Sequence, residues 1–77
     1  MKNRFSRTEL SSRILIKRGQ GKNKDFFVEQ ILELQKSPED GRIEFEGRNG
    51  IYVFEKKGNI LTFKLANGLV IRKKTGV

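Results

Sequence analysis

Residues 43–72 read IEFEGRNGIYVFEKKGNILTFKLANGLVIR, and the punctuation of this stretch decides the fold. Three turn signals, Asn49-Gly50, Lys57-Gly58-Asn59 and Ala66-Asn67-Gly68, lie eight to ten residues apart and separate four short runs rich in Ile, Val, Phe, Tyr and Leu. Asn-Gly between alternating apolar stretches is a strong hairpin signal. The turns that match the twist of paired strands need positive φ, which Asn and Gly tolerate. The second half of the chain therefore reads as an antiparallel β-meander.

Alternation then assigns two faces. With Asn49-Gly50 and Lys57-Gly58 as two-residue loops, Arg48 faces Ile51, Phe45 lies beside Phe54 and Gly47 beside Tyr52, while Leu61 meets Phe54 and Phe63 meets Tyr52. Ala66-Asn67-Gly68 reads as a three-residue loop with Gly68 left-handed. One face collects Ile43, Phe45, Tyr52, Phe54, Leu61, Phe63, Leu65, Leu69 and Ile71. The other carries Glu44, Glu46, Arg48, Ile51, Val53, Glu55, Ile60, Thr62, Lys64, Val70, Arg72 and Lys74, among which Ile51, Val53, Ile60 and Val70 need cover. A competing register, with three-residue loops at Arg48-Asn49-Gly50 and Lys57-Gly58-Asn59, turns Tyr52 and Phe54 outward beside Lys56, Thr62, Lys64 and Arg72. That arrangement is a base-stacking platform, with Tyr52 and Phe54 as its rings. Burying large rings is the commoner use, so aromatics in the core is the favoured reading.

Before the meander, Phe27, Ile31 and Leu34 recur at i, i+4 and i+7, with Val28 and Leu32 widening the stripe and Glu29, Glu33 and Lys36 elsewhere on the wheel. This predicts a helix from Phe26 to about Lys36, capped by Asp25 and ended at Ser37-Pro38 because proline disfavours a helical residue before it. Further upstream, Ser6-Arg7-Thr8-Glu9 matches a capping box and predicts one helical turn. Residues 13–17 (RILIK) read as a short strand, and residues 18–24 (RGQGKNK) as a basic loop. The expectation is one small α+β domain over residues 1–77. One helix packs on a four-stranded antiparallel meander, residues 13–17 form a candidate fifth, N-terminal strand, and residues 1–11 form a basic arm whose order is open.

Composition narrows the function classes. At 77 residues with 35% hydrophobic content, the chain supports one core only. Without cysteine there is neither a disulfide framework nor a thiolate zinc site, and the charged start MKNRFSRTEL leaves no room for a leader's apolar run. The expectations are a cytoplasmic protein, no membrane span, no cofactor and no metal. With no His either, the common general bases and nucleophiles are missing, and catalysis is not expected. Glu44 and Glu55, cross-strand neighbours in the favoured register with Glu46 diagonal to them, are the one pattern that resembles a magnesium site. Carboxylates on a face so rich in Arg and Lys are more often solvated or paired.

Charge gives the positive lead. Residues 1–24 hold eight bases and one acid, residues 25–41 one base and five acids, and residues 42–77 eight bases and three acids, for segment charges of +7, −4 and +5 within a net +8. A basic arm and a basic sheet flanking an acidic helix point to a polyanionic partner, most often nucleic acid. The candidate phosphate contacts are Arg13, Lys17, Arg18, Lys22 and Lys24 at one end, Lys56 and its neighbour Lys57 at a hairpin tip, and Lys64, Arg72, Lys73 and Lys74 on the last strands. The expected activity is phosphate-driven binding of RNA or DNA with low sequence specificity. The alternative is a small regulatory or adaptor protein that engages a protein partner, or a second copy as a homodimer, through the second sheet face or a free edge strand.

Overall fold

The computed structural model describes residues 3–15 and 22–75. Helices α1 (Arg7–Arg13) and α2 (Lys22–Lys36) precede strands β1 (Gly41–Gly47), β2 (Gly50–Lys57), β3 (Ile60–Lys64) and β4 (Val70–Lys74). The strands form one antiparallel sheet in the order β1-β2-β3-β4, an α+β arrangement. Neither helix is long and apolar enough to cross a membrane.

The hairpins keep the expected faces with shifted pairings. Gly47 faces Gly50, which makes Arg48 and Asn49 the turn, so Phe45 pairs with Tyr52 and Ile43 with Phe54. Lys57 faces Ile60 across a Gly58-Asn59 turn, and Phe54 pairs with Phe63. Each pairing has slipped by two residues from the sequence register. A slip of two leaves every side chain on its own face, whereas a slip of one inverts the sheet. The turns choose the residue that bears positive φ: among the described residues no non-glycine has it, and Gly50 and Gly58 do, at 144° and 57°. Gly58 thus sits where a type II′ loop needs it, and Asn49 is never driven left-handed. The third hairpin follows the expected register, Phe63 opposite Ile71 and Lys64 opposite Val70, with Gly68 at φ 94°.

The inner face is the core. Tyr52, Phe54, Leu61 and Phe63 are buried, with Ile43, Phe45, Leu65 and Ile71 packed around them. Leu69, expected on this face, lies just before β4 and is 53% exposed. From α2, Phe27, Val28 and Ile31 are buried against the sheet, and the Phe27 ring stacks on Phe45 with centroids 5.1 Å apart. The helix begins at Lys22 rather than Phe26, so Asp25 falls in its first turn, where a carboxylate still favours the helix dipole.

The N-terminal segment departs furthest from expectation. Phe5 enters the core edge-on to Phe54 and Phe63, with centroids 6.0 and 5.7 Å away. Its backbone is held by one side chain of α2: Phe5 N–H donates to Gln35 Oε1 at 2.8 Å, and Gln35 Nε2 donates to Phe5 O at 3.0 Å. The basic arm, whose order the sequence left open, is thus anchored in the core at Phe5 and Leu10. Ser6 caps α1, its Oγ accepting from Glu9 N at 3.1 Å, and the helix runs seven residues rather than one turn. Only that half of the capping box forms, because the Glu9 carboxylate turns to Lys73 and Arg13 instead. Residues 13–15 are not a strand: Arg13 ends α1, and Ile14 is its C-cap, buried beneath the same core as Leu10 four residues earlier. Residues 16 and 17 lie outside the described residues.

Candidate nucleic-acid interface

Register alone builds the outer face of the sheet. Residues paired across strands share a face, so rows run across the sheet: Glu44, Val53, Lys64, Val70; then Arg42, Glu55, Thr62, Arg72; then Lys57, Ile60, Lys74. Glu46 and Ile51 complete the end near the first turn. Among the described residues no helix covers this face, and Ile51, Ile60 and Val70 remain 51, 36 and 40% exposed.

The rows divide the face by charge. Exposed Glu44 and Glu46 lie on β1 and half-buried Glu55 on β2, whereas exposed Lys64, Arg72 and Lys74 lie on β3 and β4, with Lys57 at the end of β2. Arg42, the β1 cation, contacts Glu44 at 3.0 Å. Among the described residues, none of Lys57, Lys64, Arg72 and Lys74 has a carboxylate within ion-pair distance; the paired bases are Arg7, Arg13, Arg42 and Lys73. The slipped register also dissolves the carboxylate cluster considered as a magnesium site. Glu55 faces Arg42 rather than Glu44, and Glu44 faces Val53.

The sequence-predicted cations separate into distinct groups. Lys64, Arg72 and Lys74 come together on the outer face. Lys56 and Lys73 do not: they lie in the inner row with Leu61. Lys56 is buried and donates from Nζ to Ser37 O. Lys73 Nζ donates to Glu9 Oε1 at 3.0 Å and to Arg4 O at 3.4 Å, and stands 4.7 Å from the centroid of the Phe5 ring. Both lysines act as clamps on the fold. Arg13 sits at the end of α1, with Nε 3.9 Å from Glu9. Lys24 is partly exposed on α2, a helix that packs over the opposite side of the sheet. Lys17 and Arg18 lie outside the described residues, as does the side chain of Lys22.

The stacking platform is not formed. Tyr52 and Phe54 are 3 and 0% exposed, because the favoured parity turns both rings inward. Tyr52 is further occupied at its hydroxyl, which accepts from Leu15 N at 2.6 Å and donates to Leu15 O at 3.0 Å. Lys57 joins the outer set in place of Lys56, and parity was the signal that separates them: Lys56 alternates with Phe54, and Lys57 with Val53 and Glu55.

Comparison of the chain with protein-family models, with curated proteins and with solved structures finds no match.

Proposed function

We propose that this protein binds nucleic acid through backbone phosphates, with little sequence preference, on the outer face of the sheet at β3, β4 and the end of β2. The observation that carries the reading is the group Lys57, Lys64, Arg72 and Lys74 on one uncovered face, four cations with no carboxylate in ion-pair contact among the described residues. Side chains held in this way find counterions in solution, and exchanging those ions for phosphates is the main driving force of sequence-independent binding. The molecule's net +8 supports the same reading through long-range attraction. With no His and no Cys in the chain, the reading is of a binding module rather than an enzyme, acting in the cytoplasm.

The test is a titration of labelled single- and double-stranded RNA and DNA at about 50 mM and about 200 mM salt. Binding at the lower salt that weakens steeply at the higher one supports the proposal, and no binding at the lower salt overturns it. The exposed Ile51, Ile60 and Val70 favour a second reading, a protein partner on the same face. A salt-insensitive complex or self-association in sedimentation, without oligonucleotide affinity, distinguishes it.

A further inference from the structure

Resting on that reading, we propose that the basic lane takes a single strand in preference to a duplex, because the acidic half of the same face rejects a second phosphate backbone. The lane is narrow. Arg72 and Lys74 alternate along β4, about 6.7 Å apart at a strand's rise per residue. Lys64 sits diagonally across from Arg72, at about 7–8 Å. Lys57 flanks the lane from the end of β2, across Ile60 from Lys74. Lys64, Arg72 and Lys74 follow one path along β3 and β4 that a single sugar-phosphate backbone can track.

A duplex brings two such backbones. With neighbouring strands about 4.8 Å apart, the axes of β4 and β1 are separated by about 14 Å. A B-form duplex that presents its major groove to the sheet sets its second backbone about 12 Å from the first, so seating one strand on β4 in that geometry carries the other over β1. There it meets Glu44 and Glu46, both exposed, and the only outer-face cation on that strand, Arg42, is already in contact with Glu44. Like charges across that gap oppose docking.

The ground beside the cations offers cover for unpaired bases. Half-buried Val53 on β2, Ile60 on β3 and Val70 on β4 present aliphatic surface, interrupted by Glu55 on β2, that bases splayed from a single strand can cover and that bases stacked inside a duplex cannot reach. All aromatic rings of the sheet point inward, so base contact here is apolar and tolerant of sequence rather than a stacking readout.

The test measures anisotropy of labelled oligonucleotides of one sequence, single-stranded and annealed, with the full chain and with the E44Q/E46Q and K64Q/R72Q/K74Q variants. All substituted side chains are exposed, so the fold is retained and circular dichroism checks it. The expected result is several-fold tighter binding of the single strand, a gain for the duplex in E44Q/E46Q with the single strand little changed, and a salt slope lower by about 2 in the triple variant, from roughly 0.7 per phosphate on single strands. Duplex binding equal to or tighter than single-strand binding, or no duplex gain in E44Q/E46Q, overturns this inference while leaving nucleic-acid binding standing. Failure of both forms to bind overturns the parent reading instead.

Discussion

One hydroxyl joins the N-terminal segment to the sheet: Tyr52 Oη both accepts from the backbone N–H of Leu15 and donates to its carbonyl, at 2.6 and 3.0 Å. The same carbonyl accepts from Arg48 N at 3.2 Å, so Leu15 is anchored to β2 and to the first turn together. Removing the oxygen with Tyr52→Phe leaves the ring packing intact and strands the Leu15 amide. A loss of about 0.5–1.5 kcal/mol is expected in chemical denaturation, and an unchanged stability argues against the anchor.

Gln35 is the single side chain that pairs both backbone groups of Phe5. Gln35→Ala leaves a buried donor and acceptor unpaired, at an expected cost of about 1–3 kcal/mol. For a domain of this size each kcal/mol lowers Tm by about 4–8 °C. Amide exchange at Phe5 and Leu10 is expected to accelerate before that of Phe54 and Phe63, since the segment detaches while the sheet persists. Uniform acceleration across all four amides argues against a local latch.

Two neighbours on β4 are expected to respond oppositely. Lys73, reaching Glu9, the Arg4 carbonyl and the Phe5 ring, contributes to the fold, so Lys73→Gln is expected to cost about 1–3 kcal/mol of stability and to leave oligonucleotide affinity of the folded protein nearly unchanged. Lys74→Gln, exposed on the other face, is expected to leave the melting curve unchanged and to weaken binding. The reverse pattern places the binding surface on the helical side.

Two glycines test the packing of the turns. A Cβ on Gly47 would lie 2.2 Å from Tyr52 Cε1 and 3.1 Å from the Leu15 carbonyl, so Gly47→Ala displaces the ring and its hydroxyl anchor, costing about 1–3 kcal/mol. Gly68 has open space around it and a φ of +94°, so Gly68→Ala carries backbone strain alone, about 1–2 kcal/mol. With Tyr52 the only tyrosine and no tryptophan in the chain, intrinsic emission separates the two. It is expected to change in Gly47→Ala and to hold in Gly68→Ala.

Much of the architecture was written locally. The period of two in Ile43–Phe45, Tyr52–Phe54 and Leu61–Phe63 marks the core face whichever two residues form each turn, which is why the faces survive a shifted register. The same parity, carried one step further, puts Lys56 with Phe54 and Lys73 with Ile71, and so separates the two clamps from the outer cations. The i, i+4 spacing of Leu10 and Ile14 likewise marks a helix face, and Gln35 continues the stripe of Phe27 and Ile31. Long-range docking was not legible: nothing near Phe5 or Leu15 in sequence announces Gln35 or Tyr52, thirty and thirty-seven residues away. The choice of turn register also depended on where glycine rather than asparagine bears positive φ.

The split between a carboxylate-bearing β1 and a cation-bearing β4 gives the sheet a transverse dipole. On the proposed reading, an approaching nucleic acid would feel a torque before contact and would turn the last strand toward itself. On the same reading, ionic strength is expected to act on the association rate as well as on the equilibrium affinity.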